Sequence, residues 1–373
     1  MDNKTIIGVI AGLVIGGLVG IYVLAPKLAP PMPAKDAAMA PAPAPAPMAK
    51  PASVKWKMQS TFGSKLSVIG ETAPMFSDNI KRVSGGSLEI KFFEPGALVP
   101  SLEGFDAVKK GSVDAVWGTA GYHVGKIPAL AWFTAVPFGP APDEMLAWLN
   151  YAGGDEIYDR IYAEHGLKGI HVGIIAPEAS GWFRKEINSV DDLKGLKMRF
   201  FGLGALVMQE MGVSTQLLAA ADIYPALERG VVDATEFSMP SIDLNLGFYQ
   251  IAKHYYFPGW HQQASVLELL VNKKAFDGLS DQHKAMIEMT AGDSVRKVIA
   301  IGEYKQAGAL KTLAAKGVKF HTWSDDFLAE MKKAWERVVA KKSAEDPLFK
   351  EVHEHYTNFR AEYAVWKDRG YLK

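Results

Sequence analysis

A short grammar written twice constrains this chain more than any other feature. Phe105 to Trp117 (FDAVKKGSVDAVW) reads as a short helix closed by Gly111 that leads straight into a strand, and Tyr224 to Glu236 (YPALERGVVDATE) repeats that order around Gly230. Two α/β lobes of related local design follow. In open α/β sheets ligands sit outside the carboxyl ends of strands. Trp117 to Tyr122 in one copy and Glu236 to Pro240 in the other are therefore expected to face each other across a cleft.

The flanking elements fit this plan. Val54 to Ser60 is expected as a strand, followed by a helix whose Phe76, Ile80 and Val83 recur at i, i+4 and i+7. Ser84-Gly85-Gly86 stops that helix, and Ser87 to Phe93 alternates as a strand does. Val266 to Asn272 reads as a further strand and Ser280 to Lys316 as long helical segments. Near the end, Phe349, Val352, Tyr356, Phe359, Tyr363 and Trp366 form an aromatic seam at helical spacing. Such a seam suits both the chain's own core and a partner subunit, so a homodimer through the C-terminal helix is one expectation. The domain plan is a membrane anchor at 1–26, a tether at 27–53, lobe I at 54–176 with about 262–300, lobe II at 177–261 with about 301–330, and C-terminal helices at 331–373.

The N-terminus has its own logic. Thr5 to Pro26 carries no charge and is long enough at helical rise to cross a hydrocarbon core of about 30 Å. Its apolar run is longer than a secretory signal favours, and the nearest small-residue cleavage site, Ala38 to Ala40, lies well beyond it. An uncleaved transmembrane helix is expected, with a soluble periplasmic form after cleavage as the alternative. Gly8, Gly12, Gly16 and Gly20 share one helical face, which suits helix packing or is simple transmembrane filler. From Pro26 to Ser53 the Ala/Pro-rich composition keeps the chain extended, as a spacer.

Composition removes several function classes. With 373 residues, 49% of them hydrophobic, the chain can bury one or two substantial cores. Formal net charge is +0, so there is no basic field to hold a nucleic-acid backbone. The chain has no cysteine, which excludes disulfides, thiolate metal sites, a cysteine nucleophile and a lipoprotein anchor. There is no His-Glu-x-x-His, Gly-x-Ser-x-Gly or Walker loop, so no enzyme is expected.

What remains is the chemistry of anion binding. Gly202-Leu203-Gly204 falls between a strand (Leu196 to Phe201) and a helix (Ala205 to Met211); it lacks the third glycine of a dinucleotide fingerprint but can turn backbone N–H groups toward an anion. Arg199 ends that strand, where a planar guanidinium can hold a carboxylate by two parallel bonds or simply face solvent. Glu236 leaves the second strand and is open to solvation, helix capping or holding a cation. His353 and His355 are expected to be solvent-exposed.

Five segments carry a family resemblance: Trp182 to Glu186 (WFRKE), Leu196 to Arg199 (LKMR), Asp222 to Glu228 (DIYPALE), Asp233 to Phe237 (DATEF) and Tyr255 to Trp260 (YYFPGW). Phe133 to Phe138 and Pro142 to Glu144 extend it. Together they resemble the substrate-binding proteins of TRAP (tripartite ATP-independent periplasmic) transporters, most closely the branch that binds 2-oxo acids. The resemblance implies a two-lobed periplasmic-binding-protein-like fold closing on an organic acid, with a membrane permease as recipient and a sodium gradient as energy source. It implies that Arg199 pairs with the substrate carboxylate, and that Glu236, the Phe237 carbonyl and Gln262 hold a sodium or calcium ion bridging protein and substrate. Tyr122, Glu178, Phe237 and Gln262 complete the expected substrate contacts.

Two positions depart from the branch, which usually has glutamate where this chain has Gln262 and glutamine where it has Glu178. The site thus keeps two carboxylates but moves one, and Glu178 is open either to a cation or to an amine or amidine on the ligand. The leading expectation is a receptor for a small 2-oxo or 2-hydroxy monocarboxylate. A zwitterion or sulfonate receptor, and a ligand sensor for a membrane signalling partner, are the alternatives.

Overall fold

The computed structural model describes residues 53–372. The expected membrane span and nearly all of the tether lie outside them; among the described residues no helix is long and apolar enough to cross a membrane.

The first lobe opens with β1 (Val54–Ser60), α1 (Thr72–Val83), β2 (Leu88–Phe93), α2 (Gly104–Lys109) and β3 (Ala115–Gly118), followed by α3 (Pro142–Tyr151), α4 (Gly154–Ala163) and β4 (Leu167–Ile175). The second lobe holds β5 (Gly181–Phe183), β6 (Lys197–Arg199), α5 (Gly202–Glu210), β7 (Ser214–Gln216), α6 (Ala220–Glu228), β8 (Ala234–Thr235), α7 (Pro240–Leu246) and β9 (His254–Phe257). The chain then returns as β10 (Ser265–Asn272), α8 (Lys273–Asp277) and the 35-residue α9 (Asp281–Ala315). It finishes with β11 (Lys319–Thr322), α10 (Asp325–Glu345) and α11 (Pro347–Gly370).

Two sheets result, in the orders β2-β1-β3-β10-β4 and β11-β9-β5-β8-β6-β7. β1 runs parallel to β2 and β3, which the helical crossovers α1 and α2 permit, whereas β10 enters antiparallel between β3 and β4. That central position buries every residue of β10 but the last and explains its unbroken apolar run. The one charge in the run, Glu268, is buried and accepts hydrogen bonds from the hydroxyls of Tyr158 and Tyr162, with His123 Nε2 at 3.2 Å from its other oxygen.

Several elements differ from the sequence reading in extent. The strand expected over Leu196 to Phe201 is only Lys197–Arg199, and the helix after it starts at Gly202, whose φ of 62° makes the turn that a side chain would strain. Val83 is exposed because α1 turns it past the edge of the core, leaving Phe76 and Ile80 as the packed face. Ser280 to Lys316 is one continuous helix, its first turn capped by the Ser280 side chain on the His283 N–H.

The aromatic seam divides. Phe349, Val352 and Tyr356 are buried in the chain's own core, where Phe349 and Tyr356 lie 5.1 and 5.2 Å from the Trp132 ring. Trp366 is 60% exposed. Arg360 and Lys367 from the same helix clasp the buried Glu144 of α3 at 2.8 and 2.9 Å. His353 and His355 are half-buried rather than solvated, because Trp132 packs on the first at 5.0 Å and Trp148 donates to the second at 3.1 Å.

Candidate functional site

Besides the helical return through α8 and α9 from β10 to β11, two short segments carry the chain between the sheets: 176–180, from β4 to β5, and 258–264, from β9 back to β10. They touch. The Gly259 N–H donates to the Glu178 carbonyl at 2.9 Å, and a Cβ on Gly259 would stand 2.3 Å from that same oxygen, so only glycine permits this approach. Glu178 sits in the first crossing, His261 and Gln262 in the second, and all three are buried.

Their side chains converge. Gln262 Nε2 donates to Glu178 Oε2 at 2.6 Å, and His261 Nε2 lies 3.0 Å from Glu178 Oε1 and 3.7 Å from Glu236 Oε1. Glu236 arrives one residue past the end of β8, and Arg199 ends the adjacent parallel strand β6. Arg199 Nη1 donates to the Glu236 carbonyl at 2.6 Å and to Oε2 at 3.1 Å, while the Phe201 N–H donates to that Oε2 at 3.0 Å. Removing an ion pair from water costs several kcal/mol per ion unless further hydrogen bonds accompany it, and these bonds meet that need. Two atoms of the cluster are left over: Glu236 Oε1 and His261 Nδ1 are buried without a hydrogen-bond partner among the described residues.

The charges respond to this crowding. Burial pushes the Glu178 carboxyl up to about 8, with His261 pulling the other way. Burial opposes charge on His261, but the hydrogen bond to Glu178 and the negative charge of the nearby Glu236 prevail and hold it at about 9. For Glu236 burial again raises the pKa, but the Arg199 guanidinium and His261 outweigh it and keep the group below the ordinary carboxylate range. The site therefore holds Glu236 ionised against Arg199, with His261 wedged between two carboxylates.

Of this cluster Arg199 and Gln262 border a cavity of about 30 Å³, which Tyr122, Phe201, Phe237 and Thr119 also line. The Phe237 ring lies 5.0 Å from the Arg199 guanidinium. The lobes are closed over it: Tyr122 of the first lobe meets Phe201 of the second edge-on at 5.0 Å, and the Ser67 N–H donates to Asn245 Oδ1 at 3.0 Å. At Gly121 a Cβ would lie 2.0 Å from Phe201 Cζ, so the absence of a side chain is what lets the lobes meet. Burial pushes the Tyr122 hydroxyl up to about 12, against the pull of Arg199, so it is a neutral donor here.

The structure brings Arg199, Glu178, Tyr122, Phe237, Gln262 and Glu236 to one place. It adds three residues that sequence reasoning passed over. His261 stands one position beyond the Tyr255 to Trp260 segment, and Phe201 follows the Arg199 strand. Asp243 lies behind the site, accepting from Trp182 Nε1 at 2.8 Å and the Tyr255 hydroxyl at 2.9 Å. Only the first had a signal, a histidine beside an expected ligand; the other two depend on pairings distant in sequence.

Residues 59–346 match the family described as bacterial extracellular solute-binding protein, family 7. The monocarboxylate 2-oxoacid-binding periplasmic protein of Nostoc sp. (strain PCC 7120) is 34% identical over 315 residues, covering 84% of this chain and 86% of that protein. A TRAP transporter solute binding protein from Bordetella bronchiseptica RB50, a mixed-occupancy dimer with co-purified calcium and picolinate in one site, superposes with a TM-score of 0.83 at 31% identity, over 84% of this chain and 94% of that one. A TRAP periplasmic solute binding protein from Pseudoalteromonas atlantica T6c, with bound sodium and pyruvate, gives 0.81 at 30% identity, over 84% and 96%.

Proposed function

The chain belongs to family 7 of the bacterial extracellular solute-binding proteins, and on that premise we propose that it captures a small 2-oxo or 2-hydroxy monocarboxylate and hands it to a TRAP-type membrane permease. Members of this family are receptors, not enzymes. The observation that carries the ligand class is Arg199: a guanidinium only 1% exposed that nonetheless borders the cavity. A carboxylate sheds its water on reaching such a place only if a fixed positive charge replaces it. The cavity's small size favours an acid of few carbons, and the apolar faces of Phe62, Ile69 and Leu267 suit a short alkyl tail.

In the same reading Glu236, the Phe237 carbonyl and Gln262 hold a sodium or calcium ion, with Glu178 beside them. The orphaned Glu236 Oε1 supports this, since a hard cation takes oxygen ligands and a buried carboxylate oxygen is costly to leave alone. The bound ion would give Glu236 Oε1 and the ligand's own oxygens a shared partner. A zwitterionic ligand is less well supported, because both oxygens of Glu178 already face donors on His261 and Gln262. Tethering of the receptor to the periplasmic face of the membrane belongs to this proposal, as does pairing of two copies through the exposed end of α11. Mass spectrometry of ligand released from purified protein, with elemental analysis for sodium and calcium, tests it. A released amine or sugar, or apolar contents without a carboxylate, would overturn the assignment.

A further inference from the structure

At the edge of the second sheet three side chains meet that ligand capture does not use. His254 opens β9, His321 lies in the edge strand β11, and Glu186 follows β5. β9 and β11 pair in parallel, with His254 opposite Lys319 and His321 opposite Tyr256. A step of two residues returns to the same face, so both imidazoles project from one side of the ladder. His254 Nδ1 is 3.0 Å from His321 Nε2, and His321 Nδ1 is 3.8 Å from Glu186 Oε1. The three residues offer ligand atoms within 4.8 Å of one another.

We propose that Glu186, His254 and His321 form a second cation site, separate from the cleft and selective for a borderline transition metal such as Zn2+. Two nitrogens on one tetrahedral zinc, at bonds of about 2.05 Å, stand about 3.3 Å apart. The two nitrogens now share a hydrogen bond at 3.0 Å, which zinc would replace by spreading them a few tenths of an ångström and turning both lone pairs toward the ion. His321 is already fixed in orientation by stacking on Tyr256, at 4.5 Å between centroids. Glu186 is half exposed and now faces the other nitrogen of His321, Nδ1; turning its side chain past that ring edge completes a set of two imidazoles and one carboxylate, with a fourth position for water. Imidazole nitrogen favours zinc over calcium or sodium, whereas carboxylate and carbonyl oxygens in the cleft favour the hard ions. A metal here would pin the edge strand β11 to β9 and to the turn after β5.

The test is calorimetric titration of the full-length protein with Zn2+ in excess Ca2+, together with thermal unfolding with and without Zn2+. The wild type should bind one zinc equivalent in the micromolar range and unfold at a higher temperature with it. His254→Gln should weaken binding by tenfold or more and abolish the thermal shift, and the exposed Glu186→Gln should weaken binding several-fold without disturbing the fold. Absence of a zinc equivalent in the wild type, or unchanged binding in both variants, overturns the proposal. So does loss of the zinc equivalent in His261→Gln with retention in His254→Gln, which would put the ion in the cleft.

Discussion

Glu178 and Gln262 are joined twice: the Gln262 side-chain amide donates to Glu178 Oε2 at 2.6 Å, and the Glu178 main-chain N–H donates to the Gln262 carbonyl at 3.4 Å. The two positions that the family resemblance marks as departures from the 2-oxo-acid branch are thus partners. By that resemblance glutamate and glutamine stand exchanged across one hydrogen bond. The exchanged pair Glu178→Gln with Gln262→Glu should therefore bind calcium nearly as the wild type does. Each single change should weaken calcium by roughly tenfold, about 1.4 kcal/mol, the first by removing the carboxyl that a bound ion would hold ionised and the second by opposing two carboxylates. Calorimetry on the four proteins of this cycle decides it, and additive singles would show that the two positions act independently.

Arg199→Lys keeps the positive charge but loses the planar fork, so affinity for pyruvate should fall by roughly 1 to 3 kcal/mol, the scale of a charged hydrogen bond. Arg199→Ala should fall further. Unchanged pyruvate affinity in the alanine variant would mean that the carboxylate sits elsewhere.

Gly121→Ala places a methyl group against the Phe201 ring across the interface between the lobes. Each lobe should fold normally, because the clash exists only when they meet. Small-angle scattering with saturating ligand should show a more open particle than the wild type, and affinity should drop by tenfold or more. A scattering profile that closes as the wild type's does would show that the Phe201 ring yields.

The two halves of the C-terminal seam should behave differently. Phe349→Ala empties a site packed on Trp132 and should cost roughly 3–5 kcal/mol of stability. Trp366→Ala should leave the unfolding midpoint unchanged, since that ring is largely in water. If two copies pair through this end of the helix, light scattering will show Trp366→Ala shifting toward monomer. A wild type that is monomeric at micromolar concentration removes the pairing.

Asp243 supplies a pH signature. Burial pushes its carboxyl up to about 7, against hydrogen bonds from Trp182 and Tyr255. The folded form thus binds this proton more tightly than the unfolded chain, whose aspartate titrates near 3.9. Its contribution is fully present below that lower value and is lost as pH rises through about 7. Stability of the wild type relative to Asp243→Asn should decline between about pH 4 and pH 7. A difference that is flat across this window would show Asp243 ionised throughout.

Much of the architecture was legible because it depends on local chemistry. The paired Gly111 and Gly230 ends helices in both lobes, and Val266 to Asn272, apolar but for Glu268 and Asn272, read as a strand. Arg199 and Glu236 were visible as strand-end residues in matching places. The role of His261 was not, since a lone histidine gains meaning only when two carboxylates from other segments close on it. Asp243 was equally silent: its partners Trp182 and Tyr255 lie 61 and 12 residues away. The division of the aromatic seam depended on where Trp132 would sit, which periodicity within one helix does not encode.

Helix α9 has a consequence for how motion travels. At 35 residues it is a rod about 50 Å long, lying against β4 and α1 on one side of the molecule and against α7 on the other. Lys305 pairs with Glu71 of the first lobe while its neighbour Gln306 bonds Ser241 of the second, so consecutive residues of one rod are gripped from both sides. Such a rod does not fold at its middle without sacrificing ladder bonds. Opening and closing are then expected as rotation about this axle, in which the ends keep their spacing while the rims swing. Labels near Asp281 and Ala315 would report a constant distance that calibrates every other pair, and labels flanking Ser67 and Asn245 would register the full sweep.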